Sequence, residues 1–592
     1  MSPVEATADG PTRTVESEGV RLAVFERGDP ANPTVLLVHG YPDTHTVWDD
    51  VARLLASRFH VVAYDVRGAG ASTAPRGIDG YRLPLLAADL RAVADAVSPD
   101  APVHVVAHDW GSIQSWEAVT EPGAEHRIAS YTSISGPCLD HVGQLIRQRL
   151  SHPTPANLRQ VLSQQLHSWY IVAFQVPALA PLVWRLWLAR RWGAVLERVE
   201  GVPRRAGHPA PTLAADAVRG ISLYRANMLP RLRSPRRRGT EVPVQVIQPT
   251  GDHYVTPGLT DGLDRWVSRL WVRSVPARHW APLTHAPVVA RMVTELVDHV
   301  GGAPEPRSLR RAWVRRFDTV SKPFADQLVV VTGGGSGIGR ATALAFAERG
   351  AEVVICDVDD EGAQRTAELA RLIGPGGSAY HVDVADESAV RGFADRVAAV
   401  HGVPDIVVNN AGIGHAGSFL NTSHKDWERV LDVNLWGVIH GCQAFGELLV
   451  ARGEGGHIVN VASAAAYLPS RLLPAYSTSK AAVFMLSDCL RAELVDADIG
   501  VSTICPGLIN TNITRTSTHS GVDDVEQDRR RSRSTELYRR RGFPAKAVAK
   551  EIVRAVRRDI PVLPVTVEAK ATRLLGRISP AALRAAARIS PM

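Results

Sequence analysis

Two blocks, each alternating short apolar runs with amphipathic stretches, divide this 592-residue chain. In the first block Thr12–Glu18 and Val20–Glu26 predict an antiparallel hairpin turning at Gly19. Apolar runs at Thr34–Val38, His60–Tyr64, Val103–Ala107, Ile128–Ser133, Val244–Gln248 and Trp271–Val275 read as buried strands. From about residue 137 to 230 helical, Trp- and Leu-rich sequence interrupts that pattern. The second block opens at Leu328–Val331 and continues through Glu352–Ile355, Ala379–Val382, Ile406–Val408 and Ile458–Ser463. Strands alternating with helices predict an α/β protein with parallel sheets. The expected domains are 1–300, with a helical cap, and 324–592, a Rossmann-type doubly wound sheet.

Residues 301–323 read as a linker. Gly301-Gly302-Ala303-Pro304-Glu305-Pro306 is a linker by composition, and Arg307–Phe317 predicts a basic amphipathic helix with Leu309, Trp313 and Phe317 on one face. Docking of that stripe onto either domain is favoured over a membrane-surface role. Gly521–Gly542 is charged and of low periodicity, and the basic tail Thr572–Ile589 predicts two helical pieces broken at Pro580. Contact of the tail with lipid or a partner is a further reading.

Charge and cysteines then narrow the classes. A net charge of +7 is small for this length and does not suggest nucleic-acid binding. Five scattered cysteines without C-x-x-C spacing argue against a disulfide framework or a metal site. Met1–Val20 is polar and does not read as a signal peptide, and no apolar run is long enough to span a bilayer. The expectation is a cytoplasmic protein, with peripheral contact at the inner membrane face as an addition.

Candidate chemistry in the first block centres on Val103–Ser112. A strand, a sharp turn displaying Asp109 between Ala107 and Gly111, and a helix have the shape of a nucleophile elbow. A carboxylate there is ionised at neutral pH and can attack a saturated carbon without a base. Backbone N–H groups of His39-Gly40-Tyr41-Pro42, at the end of another central strand, could hold an oxyanion. Asp65-x-Arg67-Gly68-x-Gly70-x-Ser72 reads as a structural turn beside the site. Together with His108-Asp109-Trp110-Gly111 these motifs resemble the α/β-hydrolase-fold epoxide hydrolases over about residues 12–300.

That resemblance implies Asp109 as nucleophile, with Trp110 and the His39–Gly40 loop as oxyanion donors. It implies Tyr170 and Tyr224, in two cap segments similar to the family's signatures, as donors to the epoxide oxygen. Asp252 falls at the charge-relay position and His279 at the general base, with His285 as a weaker rival. Arg278 departs from the glycine usual before the base. Haloalkane dehalogenases share the fold and an Asp nucleophile, and remain an alternative.

In the second block Thr332-Gly333-Gly334-Gly335-Ser336-Gly337-Ile338-Gly339 follows a strand and opens a helix, a dinucleotide signal. Asp357 ends the next strand, where a carboxylate favours NAD over NADP, while Arg340 beside the last glycine argues weakly the other way. Asp383, then Asn409-Asn410-Ala411-Gly412, Asn434, Ser463 and Tyr476-x-x-x-Lys480 follow in order. This series resembles the short-chain dehydrogenases/reductases over about residues 324–564. It implies Tyr476 as acid/base, its pKa lowered by Lys480 with the oxidised nicotinamide, Ser463 at the substrate oxygen and Asn434 in a proton relay. Gly333, Ser336, Gly337, Ile338, Gly339, Asp357, Asp383, Asn410, Ala411, Gly412, Pro506 and Gly507 are the expected cofactor contacts, beside Tyr476 and Lys480.

The whole resembles EphD-type bacterial fusions of these two families. The expected function is hydrolysis of a hydrophobic epoxide, such as a lipid epoxide, to a vicinal diol, plus NAD-dependent oxidoreduction of a secondary alcohol or ketone, with serial action as a hypothesis. A homo-oligomer through the dehydrogenase domain is expected. The alternatives are a hydrolase domain that only binds lipid, and a noncatalytic NAD-sensing scaffold.

Overall fold

The apolar runs become strands within two residues of their predicted limits, and the central ones are buried along their whole length. Thr34–Val38 (β3), His60–Tyr64 (β4) and Val103–His108 (β5) have no exposed position. The hairpin is Arg13–Ser17 (β1) with Val20–Arg27 (β2), and Ile128–Ile134 (β6), Val244–Pro249 (β7) and Leu270–Val275 (β8) complete an eight-stranded sheet. The computed structural model describes residues 10–314 and 322–586, and divides into units 1–319 and 320–592.

In the first unit the strand order is β1-β2-β4-β3-β5-β6-β7-β8, antiparallel only where β2 meets β1 and β4. The winding reverses between β3 and β5. Such a switch point opens a crevice at the carboxyl ends of the strands, and here those ends carry the His39 loop and Asp109. Separate apolar clusters cover the two faces. Between β6 and β7 the chain leaves the sheet for a cap running from the helix Leu139–Ser151 to the helix Leu213–Arg233.

The turn after β4 is structural, as its spacing implied. Asp65 accepts from the backbone of His45 and Ala71, while Arg67 grips Asp89 through two bonds of 2.6 Å and reaches the Gly80 carbonyl.

The expected linker helix is shorter than its pattern, and the 301–323 boundary shifts with it. Arg307–Ala312 is helical, and its fully buried Leu309 packs on Trp271 and Leu296. Trp313 then bridges Trp271, and the Val314 N–H donates to Leu270 O at 2.9 Å. The unpaired edge of β8 draws these residues into extended conformation, so this stretch packs with the first unit. Arg315, Arg316 and Phe317 lie outside the described residues.

The second unit is a seven-stranded parallel sheet of Leu328–Thr332 (β9), Glu352–Asp357 (β10), Gly377–His381 (β11), Ile406–Asn409 (β12), Gly456–Val461 (β13), Ile499–Cys505 (β14) and Val562–Pro564 (β15). Its order, β11-β10-β9-β12-β13-β14-β15, again reverses at the first strand. The charged segment is a helix, Asp524–Arg541, despite its lack of apolar period. Asp523 caps it, and Glu526–Arg530 and Glu536–Arg540 pairs four apart support it. The tail forms Val567–Ile578 and Pro580–Ala586, broken where expected.

Arg67 and Asp89 are both essentially inaccessible to solvent. Arg67→Met should therefore leave a buried, unpaired carboxylate and cost about 3–5 kcal/mol. Urea unfolding followed by tryptophan fluorescence checks this, because of thirteen tryptophans only Trp427 and Trp436 lie in the second unit.

Candidate active sites

Asp109 ends β5 at φ +50, a conformation unusual for a residue with a Cβ. Its neighbours hold it there. Its N–H donates to Ile134 O and its carbonyl accepts from Ile113 N–H, both at 2.9 Å. A Cβ on Gly111 would collide with the carbonyls of Val38 and His39, and one on Gly136 with Ser112. Glycine is required at both positions by close backbone approach.

The carboxylate oxygens of Asp109 have different surroundings. Oδ2 accepts from the Tyr41 backbone N–H at 2.7 Å, and Oδ1 faces His279 Nε2 at 3.7 Å. His279 Nδ1 donates to Asp252, whose two oxygens lie at 3.0 and 3.1 Å. Asp252 also accepts from the N–H groups of Tyr254 and Val255. Burial alone would lower the His279 pKa, but the Asp252 and Asp109 carboxylates carry it well above the ordinary value. Burial opposes ionisation of Asp252 too, and His279 with the two backbone donors still holds it below the usual range.

The loop donor differs from the expectation. It is Tyr41, rather than His39 or Gly40, whose N–H meets the carboxylate. The His39 ring is buried, accepting from Val66 N–H and bonding the Gly40 carbonyl, so it braces the loop. Gly40 makes room, since a Cβ there would stand 2.5 Å from Asp109 Oδ2. Trp110 opens the next helix, and its N–H is among those that no helical carbonyl can satisfy.

Above the carboxylate, Tyr170 on the helix Trp169–Gln175 and Tyr224 on Leu213–Arg233 stand with ring centroids 6.0 Å apart. Tyr224 packs edge-on against Trp110, Tyr41 and Phe174. Burial first, and then other negative groups including Asp109, push both phenols above their ordinary value, which keeps them protonated donors.

Sequence reasoning missed two further groups. Glu200, at the end of the cap's long helical stretch, accepts the His279 backbone N–H at 3.1 Å, and its Oε1 is buried without a partner. Tyr254 packs on the His279 ring at 4.9 Å. Arg278 does not crowd the loop, because its guanidinium donates to the Val199 carbonyl of the same cap end. His285 bonds its own neighbour Thr284 and takes no part.

In the second unit the glycine-rich turn lies against the Asn410–Gly412 loop. Gly333, at φ +62, would place a Cβ 2.7 Å from Ala411 Cα, and one on Gly339 would strike the Gly333 carbonyl. Asn410 donates to the carbonyls of Thr332 and Gly333, so its amide braces the turn. Asp357 accepts the Gly335 N–H at 2.8 Å, and Ser336 precedes the helix Gly337–Ala347, whose second residue is Ile338. Arg340 is committed to the Gly335 and Gly362 carbonyls and the Thr366 hydroxyl. Asp383 is exposed and caps its own turn at Ala385. Pro506 O accepts from Ala464 N–H, and Gly507 fits against Thr566.

Asn434 is fully buried, accepting Ile413 N–H at 2.8 Å and donating to Ile413 O at 3.0 Å. Ser463 caps a short turn, its hydroxyl accepting the Ala465 N–H at 3.2 Å. Without a cofactor, burial raises the Tyr476 pKa against the pull of Ser463. The Lys480 ammonium stands 6.0 Å from the tyrosine ring, donates to Val461 O at 3.0 Å, and is itself brought down to about 8 by burial. Tyr538, on the arginine-rich helix, sits near enough that Tyr476 adds to burial in raising it to about 12.

These residues fit a nicotinamide dinucleotide. A backbone cradle that any Cβ would fill lies at a helix N-terminus, with a carboxylate ending the adjacent strand. Among the described residues no cluster of three or more His, Cys, Asp or Glu could hold a metal ion.

Comparison with known proteins agrees with both halves. Residues 33–286 match the family model described as alpha/beta hydrolase fold, and residues 327–520 the one described as short chain dehydrogenase. The chain is 48% identical over 590 residues to the "Probable oxidoreductase EphD" of Mycobacterium tuberculosis, covering 98% of each. It is 37% identical over 199 residues to the C alpha-dehydrogenase of a Sphingobium species, covering 33% of this chain and 65% of that one. A short chain dehydrogenase/reductase of Burkholderia phymatum in complex with NAD is similar to 45% of this chain and 98% of its own, at 28% identity and a TM-score of 0.41.

Gly40→Ala should push Asp109 out of line and slow its alkylation by a small electrophile about 100-fold, the loss expected from misplacement by about an ångström. Intact-mass spectrometry after a timed quench reads the modification, and far-UV circular dichroism should be unchanged.

Proposed function

The chain belongs to the family of two-domain proteins, EphD among them, that join an alpha/beta hydrolase fold to a short-chain dehydrogenase, and on that premise we propose that it is a bifunctional enzyme. Its first site converts a hydrophobic epoxide to a vicinal diol, and its second carries out NAD-dependent oxidoreduction of a secondary alcohol or ketone. The supporting observation is the placement of two protonated tyrosines over a carboxylate backed by a His–Asp pair.

In the first step Asp109 Oδ1, the oxygen not held by Tyr41, attacks an epoxide carbon. The carbon–oxygen bond breaks, and the departing alkoxide takes a proton from the Tyr170–Tyr224 pair. An ester of Asp109 is left. Loss of the Asp109 charge removes one of the carboxylates that keep His279 protonated, so its proton passes to the phenolate left on the tyrosine pair, which restores that donor and frees the base. His279 then takes a proton from water, whose oxygen attacks the ester carbonyl. The resulting oxyanion occupies the place of Oδ2, against the N–H groups of Tyr41 and Trp110. Collapse breaks the ester bond, the departing alkoxide takes the proton that His279 drew from water, and the carboxyl proton left on Asp109 returns to His279, which restores the resting charges as the diol leaves. A dehalogenase would instead bind a leaving halide in this place and would not need the tyrosine pair.

In the second site a bound NAD supplies the hydride acceptor, or its reduced form the donor. Gly333 through Gly339 would hold the pyrophosphate and Asp357 the adenosine ribose, and the carboxylate disfavours a 2′-phosphate. Tyr476 takes or returns the proton at the substrate oxygen, which Ser463 steadies. Lys480 supplies positive charge beneath the tyrosine, and Asn434 fixes the Ile413 backbone beside them. Assembly as a homo-oligomer through this domain is part of the proposal. So is serial action on a lipid epoxide and its diol, where the covalent tether raises effective concentration.

The deciding experiment is diol formation from long-chain and aryl epoxides without nucleotide. Turnover should be abolished in Asp109→Ala and unchanged in Tyr476→Phe, which should lose only the NAD-linked activity. No turnover by the unaltered chain on a broad panel would remove the hydrolase assignment.

Asp252→Asn removes the carboxylate that contributes most to raising His279 and fixes its tautomer. Ester hydrolysis should slow by about 10²–10⁴-fold with little change in alkylation. Rapid quench and intact-mass spectrometry should show the Asp109 ester accumulating. Because burial raises the Tyr476 pKa, its reactive anion grows as pH rises. Alcohol oxidation should therefore increase steadily between about pH 7 and 9, while ketone reduction, which draws on the protonated phenol, should stay nearly flat over that range.

A further inference from the structure

We propose that the outer face of the cap is a docking surface for an anionic lipid bilayer. Three successive cap helices each turn an apolar stripe to solvent. On Pro155–His167 the stripe is Leu158, Leu162 and Leu166, spaced by four. Trp169 and Val172 continue it on the next helix, each 69% exposed. Leu182, Leu186 and Trp187 carry it along the third, Leu186 being 65% exposed. Isolated exposed leucines need no explanation, but stripes repeated on adjoining helices mark an interaction site.

The charge of the same stretch identifies the partner. No Asp or Glu occurs from His141 to Leu196, although the chain holds sixty acidic residues in 592. Six arginines do occur there. Arg149 pairs with Asp261 and Arg191 lies over the Trp187 ring, while Arg159, Arg185 and Arg190 are exposed without an acidic partner among the described residues. An apolar face with aromatic residues and an arginine rim lacking acids suits the headgroup boundary of an anionic membrane. It suits a second copy of the chain poorly, because a two-fold contact would set these arginines against their own counterparts.

The face lies on the bilayer and does not cross it. No single helix among the described residues is long and apolar enough to span, and the one pair that passes together, Trp169–Gln175 with Leu179–Glu200, is bent by 102°. The inner side of that pair is fastened to the hydrolase core through Ala180, Trp184, Trp192 and Leu196. Trp169 faces out while its neighbour Tyr170 reaches the nucleophile site, so one turn of helix separates lipid from chemistry. The value of that arrangement to turnover rests on the epoxide reading, and the docking itself does not.

Flotation of the full chain with vesicles tests it. Binding to phosphatidylglycerol–phosphatidylcholine vesicles is expected, with at least tenfold less on phosphatidylcholine alone or in high salt. The triple variant Leu166→Gln, Val172→Gln, Leu186→Gln should lose binding at least tenfold, and Arg185→Gln with Arg190→Gln should lose the preference for anionic lipid. Equal binding by the triple variant, or none by the unaltered chain, overturns the proposal. So does a fall from dimer to monomer in sedimentation velocity on making the triple substitution, which would assign the face to a second copy. Circular dichroism and hydrolysis of a water-miscible epoxide verify that the variants fold. Flotation without any epoxide turnover would sink the hydrolase assignment and leave the docking intact.

Discussion

The strained turn at Asp109 is the constraint from which the hydrolase site follows. A residue with a Cβ held at φ +50 costs on the order of 1–3 kcal/mol, and persists only where its surroundings over-determine it. Here β6 receives its N–H, the following helix its carbonyl, and two glycines clear the space that side chains would fill. The consequence is directional. One carboxylate oxygen is pressed onto the Tyr41 N–H and the other is turned toward His279, so the two oxygens differ before any substrate arrives. The cap tyrosines are useful only because this orientation is fixed.

Charge balance around His279 depends on the same turn. The imidazole is fully enclosed, yet two carboxylates make its cationic form the stable one. Its backbone is gripped from both sides. Glu200 accepts its N–H, and neutral His108, whose pKa burial lowers to about 4, bonds its carbonyl. A base protonated at rest looks unsuited to its task. In the proposed mechanism it becomes suited once Asp109 is esterified and one of the two carboxylates is no longer negative, so the electrostatics would set the order of the steps.

How much of this was readable depended on whether a feature carries a periodic or side-chain signature. Uniformly apolar β3 and β9 announced themselves, and Asp109, His279, Tyr476 and Lys480 stand in spacings that specify their elements. Tyr41 has no side-chain signature that sets it apart within its motif, because its contribution is a backbone N–H and any residue supplies one. Glu200 lies 79 positions before the group it touches, in a cap whose packing no local pattern encodes. The helix Asp524–Arg541 was hidden for the opposite reason. Its support is ion pairs spaced by four, a signal that reads at first as an undirected charge run.

The tyrosines of the two sites show why residue type alone does not assign a role. Burial raises the pKa of Tyr170, Tyr224 and Tyr476 alike. In the proposed epoxide reaction this is the useful direction for the first pair, which would keep their protons until an alkoxide forms, and the nearby Asp109 charge reinforces it. For Tyr476 it is a cost, because an acid/base must exchange its proton in both directions. Ser463 offsets part of it by hydrogen bonding, and positive charge must supply the rest. Lys480 is placed below the ring but is itself desolvated to about 8, so it is a labile source of that charge. In the proposed function the hydrolase site thus draws on its own side chains alone, whereas the dehydrogenase site would also draw on the charge of a bound cofactor near Tyr476.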